Sequence, residues 1–114
     1  MATAKVVRCG IAMPQDFIDG PLDSDLLHRF LSRAEALGYE SAWVQEQIVG
    51  AVPILEPLTL LSYAAALTRT LRLGTSVMLT VWRNPIQLAK SLTSLDQLSQ
   101  GRLTVGVGIG NQRP

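Results

Sequence analysis

Glu46 and Gln47 follow a short apolar run and open a loop, and a carboxylate in such a place can give or take a proton. Gln47 cannot titrate near neutral pH, although its amide can hydrogen-bond the edge of a polar ring. The plainer alternative is a solvated or capping pair, since loop carboxylates are mostly exposed. Further along, Gly106, Gly108 and Gly110 alternate with Val107 and Ile109 and lead into Asn111. One face of that segment therefore lacks side chains, which admits a ligand or a neighbouring backbone at close range. Such glycines can equally relieve crowding inside a narrow barrel. The run is not a dinucleotide fingerprint, because GxGxxG would need glycine where Asn111 stands and would have to follow the first strand of a unit and open a helix.

Other reactive side chains point to ordinary structural roles. His28, the single histidine, sits within a helical pattern beside Arg29 and reads as a surface residue, so metal chemistry has no support. Cys9 falls inside an apolar run and reads as a small buried thiol without a nearby base. Trp43 reads as core, whereas Trp82, on a connecting segment, could wall a pocket.

These residues must be positioned by regular elements. Val6 to Met13 predicts a first strand stopped by Pro14. Asp23 or Ser24 caps a helix whose Leu26, Leu27, Phe30, Leu31, Ala34 and Leu37 recur at near-helical spacing, and Gly38 ends it. Ser41 to Gln45 is a second strand, followed by a loop over 46–55. Pro57 then opens a second helix with Leu58, Leu61, Ala65 and Thr68 along one face. Leu71 to Leu79 is strand three. Asn84 and Pro85 open a third helix that buries Leu88, Leu92 and Leu95, and Gly101 closes it. Arg102 to Ile109 is a fourth strand of alternating character.

The order β-α-β-α-β-α-β at a period of roughly 30 residues is that of right-handed parallel crossovers. Such a run forms either a doubly wound sheet or part of a (β/α)₈ barrel, and four strands would be half of a barrel. In both, ligands bind at the carboxyl ends of strands, here Met13 to Phe17, Glu46 to Ile48, Thr75 to Asn84 and Gly108 to Arg113.

Composition narrows the class of protein. The 114 residues, 47% hydrophobic, suffice for one domain spanning 1–114 and not for two. Ten basic against nine acidic residues give a net charge of +1, which argues against a nucleic-acid or anionic-membrane partner and for a small molecule or another protein chain. Arg69, Arg72 and Gly74 interrupt the most apolar stretch, so no membrane span is expected. A lone cysteine and the absence of a secretory signal pattern fit the cytoplasm.

The segments LEPLTLLSYAAALTRTLRLGTSVML and RNPIQLAKSLTSLDQLSQGRLTVGVGIG closely resemble the luciferase-like monooxygenase family, most specifically in LGTSV, NPxxLAKxLxxLDxLSxGR and GVGxG arriving in that order. The resemblance implies the N-terminal half (β1-α1-β2-α2-β3-α3-β4) of an α/β (β/α)₈ TIM-type barrel. It further implies an oxidoreductase or monooxygenase that binds flavin mononucleotide (FMN) or a 5-deazaflavin coenzyme at the carboxyl ends of its strands. Carried over residue by residue, the bulge that supports the ring falls on Thr75, Ser76 and Val77, with a cis peptide between Ser76 and Val77. Gly108, Gly110 and Asn111 would lie near the cofactor tail. At the end of strand two, where many relatives have an acid followed by histidine, this chain has Glu46 and Gln47, the candidate catalytic pair. With strands five to eight outside the sequence, the resemblance implies a truncated form. The alternative is a non-catalytic half-barrel that self-associates through exposed sheet edges such as Leu103 to Ile109, so a homo-oligomer is expected.

Overall fold

Helix starts in this chain are fixed by side chains that accept otherwise unpaired backbone N–H groups. In the computed structural model, which describes residues 3–111, the Asp23 carboxylate accepts from Leu26 N at 3.0 Å and starts α1 (Ser24–Ala36). Gly38, at φ +81°, lies just past its end. Glu56 accepts from Leu58 N and Thr59 N ahead of α2 (Pro57–Leu67), and Asn84 accepts from Ile86 N and Gln87 N ahead of α3 (Pro85–Leu98). Proline at the first position of both helices removes an N–H that would have no partner there.

Four strands alternate with these helices: β1 (Gly10–Ala12), β2 (Ser41–Val44), β3 (Arg72–Leu79) and β4 (Leu103–Gly108), with a 3₁₀ turn at Thr80–Trp82 after β3. All three pairings are parallel, and the spatial order is β1-β2-β3-β4. That order decides between the two architectures open to the sequence. A doubly wound sheet reverses its strand order at a switch point, whereas strictly sequential right-handed crossovers put every helix on one face and curl the sheet toward a barrel. The helix-facing side holds the core, with Leu27, Leu31, Leu60, Leu61, Leu71 and Leu73 at 0–2% exposure.

Several expectations are corrected. The first strand is Gly10–Ala12 and not Val6 to Met13; its one ladder partner, β2, begins at Ser41 opposite Gly10, so Val6 and Val7 remain exposed. Cys9 is exposed for the same reason and is not a buried thiol. In α1, Leu27, Leu31 and Ala34 are buried while Leu26 and Leu37 face outward. The buried face of α2 runs through Leu60, Leu61, Ala64 and Ala65, with Leu58 only partly covered. Of Leu88, Leu92 and Leu95 on α3, only Leu95 is fully buried, because α2 covers a single flank of that helix. No helix among the described residues is long and apolar enough to cross a membrane.

Two polar latches hold the end of the sheet opposite the strands' carboxyl ends. Glu35, on α1, accepts from Arg69 N (2.9 Å), Thr70 N (2.6 Å), Leu71 N (3.2 Å) and the Thr70 hydroxyl (2.7 Å), which pins the turn leading into β3. Burial alone would raise the pKa of this carboxyl, but the hydrogen bonds from Thr70, Arg69 and Leu71 together outweigh it and hold the value below the ordinary range. Arg102 donates to Ser99 O, Leu71 O, Ala65 O, Thr68 O and Thr68 Oγ1, closing the carboxyl ends of α2 and α3.

Candidate functional site

The ladder between β3 and β4 runs in register from Leu73↔Leu103 to Thr75↔Val105, then resumes at Met78↔Val107, so β3 carries one extra residue. The ladder to β2 stops at Val44↔Thr75. Ser76 and Val77 therefore have no register partner on either side, and the peptide between them is cis. Both residues are exposed, with Val77 at 38%. Thr75 is 1% exposed, and its hydroxyl accepts from Gly106 N (3.1 Å) and donates to Gly106 O (2.9 Å). The threonine thus supplies hydrogen bonds that the irregular ladder withdraws.

The bare face of β4 is used by its neighbour. A Cβ on Gly106 would meet the carbonyl oxygen of Thr75, and one on Gly108 would meet the side chain of Val77. Glycine at both positions lets the bulged strand lie close. Gly110 adopts φ +85°, and with Asn111 it is exposed beyond the end of β4. Gln112 and Arg113, which belong to the same strand-end group, lie outside the described residues.

On the concave side of the sheet, Trp43 lies across Gly10 and Gly74, either of which would strike the indole if it carried a Cβ. Its indole N–H donates to Ser41 Oγ at 2.9 Å. The sequence places Trp43 in the core; it is instead half-buried on the concave face, where Gly10 and Gly74 leave room for the ring. Above it, at the carboxyl ends of β1 to β3, a cavity of about 590 Å³ is lined by Trp43, Gln45, Gln47, Ser76, Ile54 and Asp16, among others.

Glu46 stands just beyond β2 with its side chain 2% exposed. One carboxylate oxygen accepts from Leu79 N at the end of β3, and the other accepts from Arg83 Nη2. The same nitrogen donates to Glu56 at 2.6 Å, and Glu56 in turn caps α2. One arginine therefore ties the ends of β2 and β3 to the start of α2. Burial works against the Arg83 charge, but Glu46 and Glu56 outweigh it and hold the guanidinium pKa above its ordinary value. Glu56 responds in the complementary way: burial raises its pKa, and hydrogen bonds from Arg83, Thr59 and Leu58 bring it below the usual range. Arg83 Nε is buried without a partner among the described residues. Gln47, by contrast, lies against Gly50 and faces the cavity. Trp82, 71% exposed, walls a smaller cleft of about 310 Å³ together with Gln47 and Arg83.

Sequence reasoning missed two residues that organise this region. Arg83 precedes the Asn84–Pro85 cap and drew no attention, because nothing local reveals two carboxylates converging on it. Gln15 is 8% exposed; its amide donates to Gln45 O (2.6 Å) and Leu55 O (2.8 Å) and accepts from Gln45 N (2.8 Å). A glutamine immediately after a strand-ending proline was the available signal. It fastens the 46–56 loop to the loop after β1, where Asp16 and Ile54 form an antiparallel bridge.

A family model described as luciferase-like monooxygenase matches residues 18–114. The chain is 40% identical over 89 residues to 4-hydroxyprotoasukamycin monooxygenase of Streptomyces nodosus subsp. asukaensis, covering 75% of this chain and 24% of that one. It is 33% identical over 98 residues to the F420-dependent glucose-6-phosphate dehydrogenase of Amycolatopsis mediterranei, covering 80% and 28% respectively. Among solved structures, the FMN complex of the oxygenating constituent of 3,6-diketocamphane monooxygenase from Pseudomonas putida superposes with a TM-score of 0.81. At 22% identity, over 94% of this chain and 30% of that one, it speaks for the fold alone. The chain spans about a quarter of the length of the curated relatives it matches, and its sheet is the N-terminal half of their TIM-type barrel.

Proposed function

The chain belongs to the luciferase-like monooxygenase family, and from that membership we propose that its concave face is one wall of a flavin- or deazaflavin-dependent oxidoreductase site. The observation that carries the reading is the bulge at Ser76 and Val77, two exposed residues without ladder partners, of which Ser76 lines an open cavity. A planar heterocycle with polar edges needs backbone N–H and C=O groups not already spent on a sheet, beside apolar surface for its faces. Ser76 and Val77 offer the first, Val77 and Trp43 the second.

A bound FMN or F420-type coenzyme would supply the electron or hydride transfer. The chain's own residues would place and shield it. Thr75 keeps the bulge in shape through Gly106, while Ser76 and Val77 support the ring. The Gln47 amide is free to hydrogen-bond a ring edge, and Gly108, Gly110 and Asn111 give backbone along which the tail can run. Glu46, with both oxygens engaged, acts as an anchor for the end of β3 through Leu79 and Arg83. No lining residue of this cavity is basic among those described, which leaves phosphate binding to groups elsewhere. Small molecules are the partners this wall suits.

The test is titration of the chain with FMN and, separately, with the deazaflavin, following coenzyme fluorescence and the Trp43 indole N–H by NMR. Saturable binding that Ser76→Trp weakens at least tenfold, with Glu35→Gln as a distant control, supports the reading. Binding of neither coenzyme, or binding indifferent to Ser76→Trp, would refute it. A second reading, a non-catalytic half-barrel that self-associates, is favoured by Val107 and Ile109, which are 62% and 70% exposed on and just beyond the β4 edge. Sedimentation distinguishes it: a concentration-dependent dimer that Val107→Lys dissociates, and that binds no coenzyme, would replace the first reading.

A further inference from the structure

Among the described residues, the cavity above Trp43 is lined by a single charged side chain. Ile11, Met13, Pro14, Val52 and Ile54 are apolar, Gln45, Gln47 and Ser76 are neutral, and Asp16 alone carries charge. The bridge to Ile54 settles which way Asp16 faces. Phe17 N donates to Pro53 O and Leu55 N to Gln15 O, so Asp16 and Ile54 form the pair between those hydrogen bonds, with side chains on the same side of the ribbon. Gln15 and Leu55 project to the opposite side, where Gln15 is buried and Leu55 packs on the core. Ile54 lines the cavity, and Asp16 lines it beside Ile54.

Among the described residues no cation pairs with this carboxylate. None of the ion pairs among the described residues includes Asp16, and Arg83, which stands just beyond β3, is committed to Glu46 and Glu56. Asp19 and Asp23 border the groove behind Asp16 and add to the negative potential. Gln45 and Gln47 can share hydrogen bonds but cannot balance charge. Asp16 is exposed at the wall of a cavity whose lining mixes polar and apolar surface, and a lone anion there favours a cation over a neutral molecule of the same shape.

We propose that Asp16 is a specificity-determining residue, and that this cavity takes a small molecule carrying a protonated amine, with the ammonium group at Asp16 and an apolar portion against Trp43 and Ile54. The proposal rests on the concave face being the ligand-binding face, and not on which coenzyme it holds.

The test compares 4-phenylbutylamine with 4-phenylbutanol, which share a skeleton and differ in charge at pH 7. Both are titrated into the 114-residue chain, with affinity read from the Trp43 indole N–H and the Ser76 and Gln47 amides. The amine binds about fivefold more tightly, the range of a partly screened ion pair. Asp16→Asn abolishes that preference while leaving the alcohol's affinity unchanged, and Asp16→Glu retains it. Equal affinities in the native chain, equal loss of both ligands in Asp16→Asn, or no response at the three reporter groups would each overturn the assignment. FMN and the deazaflavin, each titrated into the same samples, report separately on the coenzyme reading, so amine selectivity with neither coenzyme bound would sink that reading and leave this one standing.

Discussion

Thr75 satisfies both backbone groups of Gly106 with one hydroxyl, at 3.1 Å from the N–H and 2.9 Å from the carbonyl oxygen. Thr75→Val keeps the volume and the strand propensity but leaves those groups without their partner beneath a residue that is 1% exposed. The cost of unsatisfied buried groups is about 1–3 kcal/mol. Urea unfolding should show that loss, and amide exchange at Gly106 should accelerate beyond the change in global stability.

Gly106→Ala tests the same contact from the other side. The added methyl meets a backbone oxygen, that of Thr75, which cannot rotate away as a side chain could. Overpacking of this kind costs about 1–3 kcal/mol. Gly74→Ala should behave differently, because its neighbour is the Trp43 ring at the open concave face, which can tilt. Its expected signature is a shift of the Trp43 indole N–H resonance, with a smaller loss of stability than Gly106→Ala.

Arg83→Met leaves Glu46 buried and without its counter-charge. Breaking a buried pair from one side costs about 3–5 kcal/mol, whereas removing both charges at once is far milder. The double variant Arg83→Met with Glu46→Gln should therefore be more stable than Arg83→Met alone, and a thermodynamic cycle in urea measures the difference. If the single and double variants unfold alike, the ion pair is not what holds the end of β3.

The sequence carried the element order, a cap at Asp23 or Ser24 and one at Asn84, the helical start at Pro57 and the left-handed ending at Gly38, because each is written within a few residues. It also carried the family and, through it, the bulge at Ser76 and Val77. What it could not carry depends on neighbours distant in the chain. The length of β1 is set by where β2 begins, the seat of Trp43 by glycines on two other strands, and the duty of Arg83 by carboxylates 37 and 27 positions away. Apolar periodicity in α3 and β4 was read correctly as periodicity. Whether Leu88, Leu92 or Val107 is covered is a matter of which elements pack there, and spacing alone is silent on that.

Glu35 makes the fold sensitive to acid. Its carboxylate accepts from the backbone of Arg69, Thr70 and Leu71 and from the Thr70 hydroxyl, and these bonds hold its folded pKa below the ordinary glutamate value despite the opposing effect of burial. A depressed folded pKa means that the unfolded chain binds the proton more readily. The stabilisation is therefore fully present above the unfolded value and is lost as pH falls through the folded one. Glu56 shifts in the same direction, so the native chain should lose stability below about pH 4.5 from both groups. Glu35→Gln separates them. Its amide can still accept one bond but brings no charge and an unwanted donor, so near neutral pH it should be less stable by about 1 kcal/mol, or roughly 4 °C in Tm. Thermal melts from pH 7 down to pH 3 should then show the two curves converging as Glu35 protonates in the native chain. A gap that stays constant to pH 3 would mean that the latch works by shape alone and that the charge on Glu35 contributes nothing.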